Sequence, residues 1–127
     1  MKLNEYQDKA MSFRLPSAGA QYALLNLAGE VGELHSLVAK SIRDGAKGGH
    51  AENVKKELGD ILWCVSAVAQ DAGFTLEEVA EGNIDKLTFR KAMGVIQGSG
   101  DNRGEGLFDE DRIDRIGQNG NEGSHYE

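Results

Sequence analysis

Leu24-Leu25-Asn26-Leu27-Ala28-Gly29-Glu30-Val31-Gly32-Glu33-Leu34-His35-Ser36-Leu37-Val38-Ala39-Lys40-Ser41-Ile42 is the stretch that decides the fold. Its apolar residues Leu24, Leu27, Val31, Leu34, Val38 and Ile42 recur at steps of 3, 4, 3, 4 and 4. That is the period of one helical face, whereas a half-buried strand would alternate every second residue. The stripe predicts a long helix over about 18–43. Upstream, Pro16 closes an earlier segment and Ser17 is placed to cap the long helix. Downstream, Asp44-Gly45-Ala46-Lys47-Gly48-Gly49 reads as a glycine-rich connection.

The same period returns on both sides. Val54, Leu58, Ile61, Val65, Val68 and Ala72 predict a third helix over about 52–72, with Gly73 as its stop. Thr75-Leu76-Glu77-Glu78 has the form of a capping box and opens a fourth helix to about residue 94. Tyr6, Ala10 and Phe13 mark a first helix over about 3–13. No stretch alternates as a strand should, and an aromatic share of 6% leaves little material for a β-sandwich or barrel. The expected fold is therefore all-α, an antiparallel bundle of about four helices.

A chain of 127 residues accommodates one such domain and a tail. Residues 1–97 carry 11 basic and 13 acidic side chains, but residues 98–127 carry 3 and 8, together with 7 of the 17 glycines. So acidic and glycine-rich a segment cannot bury enough apolar surface to offset its ordering entropy. Residues 1–103 are expected to form the domain and residues 104–127 a mobile tail. Within that tail the apolar pairs Leu107-Phe108 and Ile113 with Ile116 are placed to pack on a partner subunit. No apolar run approaches the length needed to span a bilayer, and Met1-Lys2-Leu3-Asn4-Glu5 lacks the apolar core of a secretory signal. The single cysteine, Cys64, allows neither an internal disulfide nor a cysteine-based zinc site, which suits a reducing cytoplasm. A net charge of −7 argues against generic binding to nucleic-acid backbones.

Five acid-x-x-acid pairs occur along the chain, so the spacing alone singles out none of them. Position against the apolar stripes selects two: Glu30/Glu33 on the second helix and Glu57/Asp60 on the third. Each acid lies four residues before Leu34, Leu37, Ile61 or Cys64 and so borders the stripe of its own helix. Antiparallel packing would bring all four carboxylates toward one pocket. Their mutual repulsion would then require protonation or a cation. Oxygen ligands without Cys or His suit Mg²⁺ or Mn²⁺ rather than zinc, and such ions suit phosphate substrates. Gly29, Gly32 and Gly59 sit beside these acids, where each costs about 1 kcal/mol against alanine. Close helix approach or room for a ligand would explain them.

Leu25–Leu34, with Glu30-Val31-Gly32-Glu33 at its centre, followed by Lys56-Glu57-Leu58-Gly59-Asp60-Ile61-Leu62-Trp63, resembles the MazG-like nucleotide pyrophosphohydrolases of the all-α NTP pyrophosphatase superfamily. Their signature is ExxE followed after a gap by ExxD, and 23 residues separate Glu33 from Glu57 here. Three further stretches look like the same family: Leu3-Asn4-Glu5-Tyr6-Gln7, Asn83–Lys91 and Gly98-Ser99-Gly100-Asp101-Asn102-Arg103. The resemblance covers about residues 3–103; nothing in 104–127 matches it. It implies a Mg²⁺-dependent hydrolase (Mn²⁺ as possible substitute) that cleaves a nucleoside triphosphate to the monophosphate and pyrophosphate. It further implies that Glu30, Glu33, Glu57 and Asp60 hold the metal, with one of them orienting or deprotonating the attacking water. Asn83, Lys86 and Arg90 fall in the phosphate-side motif, and their spacing puts the three donors on one face of the fourth helix. The Gly98–Arg103 turn is placed to close over the phosphates. A homodimer or homotetramer is expected, because carboxylate clefts of this family are usually completed by a neighbouring subunit.

The remaining candidates read as structural. Trp63 fits a core position better than a base-stacking one, His35 a surface or interface position, and Cys64 a small buried hydrophobe. A di-iron bundle would need Glu-x-x-His on two core helices. Only Glu122-x-x-His125 has that spacing, and it lies between glycines in the tail. The surviving alternative is a non-catalytic helical oligomerisation or adaptor module, its acids serving only as surface charge.

Overall fold

The computed structural model describes residues 1–45, 50–101 and 103. The expected tail, its apolar pairs, Glu122-x-x-His125, Asn102 and most of the glycine-rich connection lie outside the described residues. The chain forms α1 (Leu3–Ser12), α2 (Ala20–Asp44), α3 (His50–Asp71) and α4 (Leu76–Ala92), with no strand among the described residues. The fold is all-α. It divides into two compact units, residues 1–81 and 82–127, the boundary falling inside α4.

In the first unit α2 and α3 pack as an antiparallel hairpin. Their register is legible from opposed residues: Asn26 reaches Cys64, Glu33 faces Glu57, and Lys40 lines a cleft with His50 and Asn53. α1 lies on α3. The Trp63 Nε1–H donates to the Ala10 carbonyl at 3.0 Å, and Arg14 makes a bidentate pair with Asp71, both bonds 2.8 Å. The Arg14 guanidinium, by hydrogen bond first and charge second, holds the Asp71 carboxyl below the usual carboxylate range.

Local signals account for most helix ends. Gly73 has φ +83°, a left-handed conformation that glycine adopts without penalty. It lets its own N–H reach the Gln70 carbonyl (3.0 Å) and the Phe74 N–H reach that of Ala69 (2.8 Å), which satisfies the orphan carbonyls of α3. Thr75 and Glu78 form the anticipated capping box: Thr75 Oγ1 accepts from the Glu78 N–H, and Glu78 Oε2 accepts from the Thr75 N–H. The expectation for Ser17 fails. The N-cap of α2 is Gly19, without a side-chain cap, because the Ala18 N–H bonds the Leu15 carbonyl and takes Ser17 into a turn.

The core differs from the predicted seam. The buried residues of this unit are mostly small: Ala10, Ala23, Cys64, Ser66, Ala67 and Ala69, with Leu76 and Gln7. Of the predicted stripe, Leu27, Val31, Leu34, Val54, Ile61, Val65 and Val68 are half-buried, whereas Leu24, Val38, Ile42 and Leu58 are 60%, 40%, 81% and 51% exposed and Ala72 is exposed as well. Two helices in contact cover only part of each apolar face. Small side chains occupy the line of closest approach, and larger ones flank it.

Gln7 is the polar knot of this core. Its Nε2 donates to the carbonyls of Ser66 (3.3 Å) and Phe74 (3.2 Å), and its Oε1 accepts from the Leu76 N–H (2.9 Å). One side chain thereby joins α1 to α3 and to the first turn of α4. Gln7→Ala is expected to remove these three hydrogen bonds and to lower unfolding stability by about 3 kcal/mol. Urea denaturation followed by circular dichroism measures it, and an unchanged midpoint would refute the assignment.

In the second unit α4 ends as α3 does. Gly94 takes φ +68°, and the Val95 N–H reaches the Arg90 carbonyl at 2.8 Å.

Candidate metal and phosphate site

Glu30 and Glu33 are one helical turn apart on α2, and Glu57 faces them from α3. One carboxylate oxygen of each can be chosen so that all three lie within 4.8 Å of one another. Such a triplet of hard oxygen donors matches the ligand chemistry of a divalent cation of the Mg²⁺ type. Asp60 falls outside the triplet and is exposed, but its charge reaches the group. Burial, and then the neighbouring charge of Glu33, push the Glu30 carboxyl above its usual range, with smaller contributions from Asp60 and Glu57. Like charges crowded on two packed helices are the electrostatic condition that a bound cation relieves.

Asn26 was not anticipated as a site residue. Its Nδ2 donates to Glu30 Oε1 at 3.1 Å and to Cys64 Sγ at 3.5 Å, so it fixes the Glu30 carboxylate and bridges α2 to α3. Its position four residues before Glu30, on the same face, was the available signal. Cys64 is buried, as expected, and burial raises its thiol pKa. Tyr6 is half-buried, and its hydroxyl pKa is raised by burial first and by the charge of Asp60 second. A side chain added at Gly32 or Gly59 would meet open space, so close helix approach does not explain these glycines.

A cleft of about 310 Å³ opens beside the triplet, lined by Glu33, Ser36, Leu37, Lys40 and Glu57. A second, of about 280 Å³, is lined by Phe13, Leu15, Ser17, Ala18, Tyr22 and Trp63. Trp63 is therefore half-buried, anchored through its indole N–H to α1 while lining an aromatic cleft. His35 is exposed on α2.

The α4 residues belong to the second unit. Asn83 is exposed, Lys86 half-buried and Arg90 buried. Gly98 and Gly100, at φ +121° and +85°, shape a turn that returns Asp101 to α4. The Asp101 carboxylate lies 3.1 Å from Lys86 Nζ and 3.2 Å from Arg90 Nη2, and those two cations hold its pKa below the usual range. Arg90 Nη2 also donates to the Asp101 carbonyl at 2.6 Å, and Arg103 donates to the carbonyls of Val95 (3.1 Å) and Gly98 (2.8 Å). Nε of Arg90 is buried without a partner among the described residues. The expected phosphate-side residues thus share a face as the spacing required, and two of them meet an internal carboxylate.

Residues 19–94 match the family model of the MazG nucleotide pyrophosphohydrolase domain, a match that spans α2, α3, α4 and all seven expected site residues. The chain belongs to that family. It is also 41% identical over 90 residues to the "Gene 37 protein" of Mycobacterium phage L5, an alignment covering 67% of this chain and 77% of that one. No solved structure matches it.

If the carboxylates are crowded for want of a cation, adding the ion and deleting a charge should act alike. Mg²⁺ at about ten times its Kd is expected to stabilise the chain by about 1.4 kcal/mol, a rise in Tm of about 5 °C. Glu33→Gln is expected to raise the Tm of the metal-free chain and to abolish the Mg²⁺ response. Thermal melts in chelator and in Mg²⁺ measure both, and a variant that still responds fully to Mg²⁺ would count against the site.

Proposed function

We propose that the chain is a Mg²⁺-dependent nucleoside triphosphate pyrophosphohydrolase, with Mn²⁺ as a substitute ion, and that residues 1–103 form its catalytic domain. The convergence of Glu30, Glu33 and Glu57 from two family motifs on one point between packed helices carries this reading. Asp60 completes the ligand group. The ion, when present, supplies charge neutralisation along the polyphosphate and acidification of nearby water. The oxygen of water bonds to the α-phosphorus. The bond from that phosphorus to the α,β-bridging oxygen breaks, its electron pair leaving with pyrophosphate. One of the four carboxylates takes the proton of the water.

Asn83 and Lys86 supply phosphate donors. Arg90, buried and bonded to the 98–103 turn, supports them by fixing that turn. An adaptor module would have no use for carboxylates crowded at the cost of mutual repulsion, so the hydrolase reading accounts for more of the site. Glu33→Gln and Glu57→Gln are each expected to reduce pyrophosphate release by about 100-fold or more while far-UV circular dichroism is unchanged. A panel of NTPs and dNTPs with Mg²⁺, assayed for pyrophosphate and orthophosphate, measures the loss. Orthophosphate with nucleoside diphosphate as products would assign a different bond.

The working unit in this reading is a homodimer or homotetramer in the cytoplasm. Large apolar side chains left in water support association: Leu25 is 73% exposed and Ile42 81%. No helix among the described residues is long and apolar enough to cross a membrane. Light scattering at micromolar concentration is expected to give the mass of two or four chains. A fully active monomer would remove the proposal.

A further inference from the structure

Beyond Glu33, the same face of α2 continues with Ser36, Leu37 and Lys40, three, four and seven residues on. These side chains and Glu57 line the cleft beside the carboxylate triplet. A second cleft of about 250 Å³ shares Leu37 and Lys40 and runs on past Ser41, Asp44, His50 and Asn53, toward the end of the hairpin. Lys40 is thus the cation at the junction of a polar groove that starts at the carboxylates. Its ammonium makes no ion pair among the described residues. The nearby Asp44 carboxylate is taken by Arg43, with two bonds of 2.7 Å.

The chemistry of the groove selects what lies in it. Among the described residues its lining offers an ammonium, hydroxyls, an amide and an imidazole beside the carboxylates of Glu33, Glu57 and Asp44, the last of these paired with Arg43, and no Phe, Tyr or Trp on which a nucleobase would stack. The aromatic cleft of Tyr22 and Trp63 lies toward the opposite end of the hairpin, near the start of α2 and the later turns of α3. A polyphosphate end needs donors and positive charge, and Lys40 is the cation this groove provides.

We infer that Lys40, with Ser36 beside it, holds the departing diphosphate, so that the substrate lies along the α2–α3 groove with its terminal phosphates toward the hairpin connection. This rests on the hydrolase reading above. As the α-phosphorus to bridging-oxygen bond breaks, negative charge grows on the leaving group, and the Lys40 ammonium stabilises it by donating a hydrogen bond to a phosphate oxygen. Seven residues of helix rise put Lys40 about 10 Å along α2 from Glu33, so it serves the far end of the chain of phosphates.

The test uses the full chain with Mg²⁺ and inorganic pyrophosphate as the probe. Isothermal titration is expected to show pyrophosphate binding weakened about tenfold or more in Lys40→Met and largely restored in Lys40→Arg, with the Mg²⁺-induced rise in Tm unchanged. In steady-state assays Lys40→Met is expected to lose kcat/KM and pyrophosphate inhibition by similar factors. Pyrophosphate binding equal in Lys40→Met and the unaltered chain would overturn the inference, as would activity lost with inhibition intact. An unaltered chain that releases no pyrophosphate from any triphosphate would sink the hydrolase reading instead. The titration still decides Lys40 in that case.

Discussion

The chemistry proposed for this molecule depends on like charges that two packed helices hold close together. Glu30, Glu33 and Glu57 bring carboxylate oxygens within 4.8 Å of one another on helices that cannot separate without losing their packing. The strain is electrostatic, and it shows in Glu30, whose carboxyl is pushed upward by burial and then by its neighbours. Keeping them together fits a family whose chemistry is hydrolysis of phosphoric anhydrides.

Holding that arrangement falls to a few polar contacts rather than to a large apolar core. Asn26 ties Glu30 to α3 through Cys64, Trp63 ties α3 to α1, and Gln7 joins α1, α3 and the start of α4. Fully buried positions are mostly alanine, serine and cysteine, which permit close backbone approach but bury little surface each. The apolar side chains left exposed on α2 and α3 are the complement of this thin core.

The second unit follows a different logic. Its turn is built from glycines at positive φ and closed by arginine side chains on backbone carbonyls, with Asp101 neutralising Lys86 and Arg90. An internal carboxylate shared by those two cations fastens the turn to α4.

Helix number, helix type and most boundaries were legible in the chain alone, because they rest on local physics: the period of the apolar stripe, the Thr75–Glu78 box, and Gly73 as a stop. That Glu30, Glu33 and Glu57 would face one another was legible too, since spacing and position beside a stripe fix which way a helical side chain points. Which seam residues would be buried was not legible. Periodicity marks a face but not how much of it a neighbour covers, and so Leu24, Ile42 and Leu58 remain in water. Nor could spacing show that three of the four acids meet in one triplet while Asp60 acts from outside it. The contacts of Asn26 and Gln7 and the place of Lys40 in its cleft were hidden for the same reason. Each depends on what lies across from it on another helix, and only the packing of α1, α2 and α3 decides that register.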